Sequence, residues 1–260
     1  AGLAGAGGGL GDHVPARHKE YGTKGEIALE NLAGYRQRTR GFMLDSLPLA
    51  GGFETNPELW KKVDEQGHLR PFRGDTVVFQ TDDILKRRAQ ELQKVLYRNC
   101  GDMMADPLKP ETFHMTLHDL SNDGNGDEFE RKMEQNRQDT ARILRLVKME
   151  ASENIHINTV GVFNMVSTSV VLGLEPADEF SCTRLMELYE RLQTVVSLDY
   201  PLTLHITLGY YRPGVYSSEQ RRRLQGTFAR LNREMGQEFY LKESRIMYQR
   251  FEHMNHYETL

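Results

Sequence analysis

The apolar and polar positions of the chain switch between two periods, one of about two residues and one of about 3.6. The run Thr76-Val77-Val78-Phe79-Gln80 is rich in β-forming residues and is bounded by Gly74 and by Asp82-Asp83, so it predicts a strand. Behind a capping Thr81 or Asp82, Ile84, Leu85, Ala89, Leu92, Val95 and Leu96 recur at helical spacing, and Gly101 and Pro107 close that helix. Residues 112–117 alternate as a second strand, with Phe113, Met115 and Leu117 on one face and His114, Thr116 and His118 on the other. A charged helix is expected over about 127–148, with a core stripe that includes Phe129, Met133, Thr140 and Val147. Strands near 155–163 and 168–174, parted by only four residues, read as a hairpin. Asp178 opens another helix carrying Leu185, Leu188 and Leu192. A strand over 202–210 puts His205, Thr207 and Gly209 on one face, and counting on by twos places Tyr211 at its rim. A basic helix over about 217–235 and a final strand around 239–248 complete the pattern.

The N-terminal part is different. Residues 1–11 are almost all small, which fits either the remnant of a removed export signal or a trimmed end, and they carry little fold information. Residues 13–40 are polar and basic, with a weak helical stripe over 26–38 and a cluster Arg36, Arg38, Arg40 expected to be a solvated face. Residues 1–40 are therefore read as an extension and 41–260 as one domain. Compartment is left open, cytoplasmic by default and with export compatible with that Gly/Ala-rich start.

The order of elements contains a repeat. A strand, a helix and a strand bearing His114 are followed by a strand, a helix and a strand bearing His205. Val77 precedes His114 by 37 residues, Val170 precedes His205 by 35, and the histidines are 91 residues apart. That spacing is too long for a solenoid and fits a duplicated β-α-β lobe. The expected fold is α+β and bilobal, with two antiparallel sheets facing a central cleft.

Each repeat ends in the same chemistry: apolar, His, any residue, Thr, Leu. With nine histidines and sixteen threonines in 260 positions, chance supplies roughly half of one His-x-Thr match, so the equivalence of the two strands matters more than the matches themselves. Residues i and i+2 of a strand point the same way, so each motif delivers an imidazole and a hydroxyl into one cleft. Two opposed copies can supply a base for an attacking water, an acid for a leaving oxygen, and hydroxyl donors for the charged phosphoryl oxygens. The ordinary alternative for either motif alone is a half-buried strand histidine beside a β-forming threonine. His118, on the same counted face, is either a pocket residue or a strand-end residue.

Composition narrows the class further. The net charge of -4 argues against a protein that holds long nucleic acid by charge, and favours a small substrate or an RNA terminus. Cys100 and Cys182 form no zinc-ligand array and are expected as buried thiols. No apolar run is long enough to span a membrane as a helix. His253-x-x-His256 lacks accompanying ligands for a metal, the Arg221-Arg222-Arg223 run reads as a solvated helix face, and no phosphate-binding glycine loop or nucleophile elbow is present.

The stretches Phe113-His114-Met115-Thr116-Leu117 and Leu204-His205-Ile206-Thr207-Leu208-Gly209-Tyr210 resemble the paired signature motifs of the two-histidine (2H, LigT-like) phosphoesterase superfamily, which includes RNA 2′,3′-cyclic phosphodiesterases. Residues 69–78 are similar to the first-strand region of a bacterial branch of unestablished function, and the resemblance spans roughly 68–250. It implies a cleft between two antiparallel sheets, no cofactor and no metal, His114 and His205 as acid and base, and Thr116 and Thr207 as phosphate ligands. The expected activity is hydrolysis of a cyclic phosphate on a nucleotide or RNA end. The alternative is a binding module that uses the same cleft without turnover; a metal held by His114, His118 and His205 is a third reading. Tyr211 is expected to stack on a base or bond a phosphate. The long N-terminal segment and the insertion over 122–148 depart from the family pattern.

Overall fold

Two four-stranded antiparallel sheets carry the fold in the computed structural model, which describes residues 29–150 and 154–260. The first contains β2 (Gly74–Gln80) and β3 (His114–Asn122), extended on the other side of β2 by β9 (Ile246–His253) and then β10 (His256–Thr259). The second contains β5 (Ser169–Pro176) between β6 (His205–Tyr210) and β4 (Ile155–Met165), with β8 (Glu238–Leu241) beyond β4. A small pair, β1 (Phe53–Glu54) with β7 (Val215–Tyr216), lies apart. The chain is thus α+β with antiparallel sheets. In each four-stranded sheet the His-x-Thr strand is an edge strand.

The helices begin where the polar caps place them. Asp82 accepts a hydrogen bond from Leu85 N at 2.8 Å and starts α2 (Asp83–Cys100); Asp178 does the same for Ser181 N at 2.7 Å and starts α4 (Glu179–Gln193). Ser217 and Gln220 form a reciprocal capping box at the start of α5 (Ser218–Leu231). α3 (Gly126–Met149) buries Met133, Asn136, Thr140 and Val147, so Phe129 drops from the expected stripe and Asn136 joins it. Asn136 has a partner to reach: its Nδ2 donates to the buried Asp75 carboxylate at 3.1 Å, which also accepts from Tyr248 Oη and Ser121 N, each at 2.8 Å. Burial foremost holds the Asp75 carboxyl above its ordinary pKa, against the pull of those three donors.

Four expectations change. The final strand of 239–248 is two strands in different sheets, because the chain turns over Glu243–Arg245 and crosses from β8 to β9. That turn contains no glycine or proline; it is held by buried Glu243 against Arg184. The boundary at residue 40 falls inside α1 (Leu32–Leu44), which starts later than expected, on the Asn31 cap, and docks on the body. Arg36, Arg38 and Arg40 are not simply a solvated face either: all three are ion-paired, although Arg40 stays exposed. Arg38 pairs with Glu30, both nearly buried, and Arg36 and Arg40 pair with buried Glu175. In the later arginine run Arg221 is likewise buried, against Gly51 O. Residues 1–28, including the Gly/Ala-rich start, lie outside the described residues. Cys100 and Cys182 are buried free thiols, and among the described residues no helix is long and apolar enough to cross a membrane.

Candidate active site

β3 pairs with β2 so that His114 lies opposite Gln80 and Thr116 opposite Val78; β6 pairs with β5 so that His205 lies opposite Gly173 and Thr207 opposite Val171. Both registers then slip by one residue. Val77 pairs with His118, leaving Leu117 as an extra residue, and Val170 pairs with Gly209, leaving Leu208 as an extra residue. Each edge strand therefore carries a bulge directly after its His-x-Thr, and a bulge reverses which face the later side chains take.

The result is one cleft of about 670 Å³, including its open mouth, lined by His114, Thr116, His205 and Thr207 together. Each histidine is held in the same way. His114 Nδ1 lies 2.7 Å from Thr112 O, and His205 Nδ1 lies 2.8 Å from Thr203 O. A carbonyl oxygen can only accept, so Nδ1 carries the proton in both rings and Nε2 is the basic nitrogen. The shared pattern is longer than His-x-Thr: Thr-x-His-x-Thr-Leu occurs at 112–117 and at 203–208. The backbone before His205 is itself braced from α1. Arg38 Nη1 donates to Thr203 Oγ1 at 2.8 Å, and Tyr35 Oη accepts from Leu204 N at 2.8 Å. The ring of Tyr257, from β10, lies 4.9 Å from that of His114 and forms a wall of the cleft.

The bulges move three residues from their expected places. Tyr211 is fully buried, packed on Phe53 at 5.5 Å, and is absent from the cleft; Tyr210 lines it instead. Gly209 faces away from the cleft, where a Cβ would lie 2.7 Å from Tyr97 Oη, so glycine is needed there to admit the tyrosine. His118 also turns away. Its Nε2 is 2.7 Å from Gln193 Oε1 and its Nδ1 is 2.6 Å from Asp119 O, with the Tyr189 ring tilted against it at 4.8 Å. That placement removes His118 from any metal set with His114 and His205. Asp119, the next residue, takes the cleft face, its carboxylate accepting from Tyr200 Oη at 3.0 Å. Each bulge is gripped by a glutamine: Gln193 of α4 holds His118, and Gln93 of α2 donates to Leu208 O at 3.0 Å.

His118 makes folding sensitive to acid. Burial pushes its pKa down to about 4 from an ordinary 6.5, outweighing the two hydrogen bonds, which act upward. The folded chain then holds the ring neutral, with one proton and so one of the two hydrogen bonds at a time, while the unfolded chain protonates it. Stability is full above pH 6.5 and falls as pH drops towards 4, by about 2–3 kcal/mol. Denaturant unfolding across that range should show the slope, and His118→Asn should flatten it; equal slopes in both proteins would assign the acid lability elsewhere.

Lys62, Asp119, Tyr210 and Tyr257 are not marked as site residues by the sequence. Lys62 and Tyr257 come from segments outside the strand-helix-strand repeat, so nothing local singles them out. Tyr210 and Asp119 stand five residues after His205 and His114, a signal visible only once both bulges are known.

Comparison with solved structures gives the fold. A conserved protein of unknown function from Agrobacterium tumefaciens str. C58 matches at a TM-score of 0.61 and 14% identity, over 80% of this chain and 93% of that one. The protein TT0787 of Thermus thermophilus matches at 0.49 and 14%, over 72% and 94%. Escherichia coli LigT in its apo form matches at 0.43 and 10%, over 74% and 96%. No family model and no curated protein matches the sequence. At these identities the likeness is one of fold: the chain shares an α+β architecture of antiparallel sheets with the Agrobacterium protein and has a more distant structural similarity to LigT.

Proposed function

We propose that this chain is a metal-independent phosphodiesterase that opens a cyclic phosphate on a nucleotide or RNA end. The observation that carries the reading is the convergence of both His-x-Thr motifs on one cleft, with each imidazole fixed through Nδ1 by the carbonyl two residues before it. The matching registers and bulges also support reading the two strand-helix-strand units as copies of one lobe, opposed across that cleft. One histidine takes a proton from water as its oxygen attacks phosphorus. The bond from phosphorus to the 2′ or 3′ oxygen breaks, and the other histidine protonates that oxygen. Thr116 and Thr207 donate to the non-bridging oxygens, where charge accumulates. The product is a phosphomonoester.

Hydrolysis of a panel of 2′,3′- and 3′,5′-cyclic nucleotides in excess chelator tests this. Turnover should survive the chelator and follow a bell-shaped pH profile with limbs between roughly pH 5 and 8, since one histidine must be neutral and the other protonated. Binding without turnover would favour the module that only holds a nucleotide, and activity lost to the chelator and restored by zinc would overturn the metal-independent mechanism.

A further inference from the structure

The cleft has a charge problem. Two carboxylates, Asp75 and Asp119, line it along with the neutral hydroxyls of Thr116 and Thr207. An anionic phosphodiester entering such a pocket meets negative charge. Among the described residues that line it, Lys62 is the only lysine or arginine. It is 3% exposed, which is unusual for a lysine, and its Nζ lies 5.2 Å from the ring centroids of both Phe72 and Tyr210. Both rings line the same cleft, and Tyr210 faces it only because of the bulge at Leu208. The two rings fix the ammonium by its charge.

We propose that Lys62 forms the anion subsite of this cleft, binding a phosphoryl oxygen of the substrate and, more tightly, of the phosphomonoester product, whose charge is greater. This rests on the phosphodiesterase reading for the identity of the substrate, while the subsite itself stands on the charge balance and the aromatic clamp. Lys62 reaches the site from residues 57–72, ahead of the repeat, so the two motifs would supply proton transfer and the preceding segment the fixed positive charge.

Calorimetric titration with 3′-AMP and steady-state hydrolysis of 2′,3′-cyclic AMP, on wild type, Lys62→Met and Lys62→Arg, test the proposal. Lys62→Met keeps an unbranched side chain between the rings and removes the charge. It should weaken 3′-AMP binding at least tenfold and raise KM at least tenfold, with a smaller change in kcat, while Lys62→Arg should recover part of the binding. The weakening should shrink as salt is raised, because screening already removes the charge effect in wild type. Should Lys62→Met fail to fold, Lys62→Gln takes its place. A Kd within twofold of wild type in a folded charge-free variant would make Lys62 a packing residue and overturn the subsite, leaving the hydrolytic reading intact. Lys62-dependent binding of 3′-AMP without hydrolysis of any cyclic nucleotide would uphold the subsite and sink the hydrolytic reading. No binding of 3′-AMP by the wild type would overturn the subsite.

Discussion

Replacing either His114 or His205 by alanine should lower kcat for a cyclic nucleotide by about 10²- to 10⁴-fold, the range for loss of a general acid or base. Each change removes one proton carrier and leaves the cleft, the threonines and Lys62 in place, so KM should move far less than kcat. The double variant should be little worse than either single one, because the two groups act in one transition state. Each single variant should also lose one limb of the pH profile, which shows which ring is base and which acid. Each ring stands on the first residue of its strand, so the folded state should tolerate the change. Parallel kinetics and unfolding curves would show this. Retention of wild-type kcat by either variant removes that histidine from the chemistry.

Tyr211→Ala should instead strike stability, by about 3–5 kcal/mol, as for other large aromatic residues removed from a core. Tyr211 is fully buried, packs on Phe53 and lies 6.4 Å from Tyr216. Its hydroxyl has no hydrogen-bond partner among the described residues, so Tyr211→Phe should keep or raise the melting temperature by removing a buried unpaired group. Both variants, where folded, should keep the KM of wild type, since the residue does not reach the cleft. A raised KM with unchanged stability in Tyr211→Ala would return the residue to the rim of the site.

The fate of Tyr211 shows where sequence reading stops. The caps at Asp82 and Asp178, the hairpin of β4 and β5 and the two His-x-Thr strands all follow from local signals: a capping side chain, a short loop, an alternation of apolar positions. The bulges at Leu117 and Leu208 do not, because an extra residue in a ladder is set by pairing with a neighbouring strand rather than by the pattern within one. Counting by twos is therefore right up to Thr116 and Thr207 and wrong beyond them, which exchanges Tyr211 for Tyr210 and His118 for Asp119. The split of residues 238–253 between two sheets is hidden for a similar reason, since the apolar alternation runs on through a turn that a distant arginine holds. Arg36 and Arg40 look unpaired in the sequence because their carboxylate partner Glu175 lies 135 residues further along the chain from Arg40. The nearly buried Arg38 ties the segment before residue 45 to the strand that presents His205, through Thr203.

The central claim is that water attacks phosphorus in the cleft shared by His114 and His205, with proton transfer by those two rings. Single-turnover hydrolysis of a 2′,3′-cyclic nucleotide in ¹⁸O-labelled water, with chelator present and enzyme in excess, examines that step directly. The expected result is a nucleoside monophosphate carrying one labelled oxygen on phosphorus, formed by wild type and lost in His114→Ala and His205→Ala. Product without the label, product only on addition of zinc, or no product from any cyclic nucleotide that the cleft binds would contradict it.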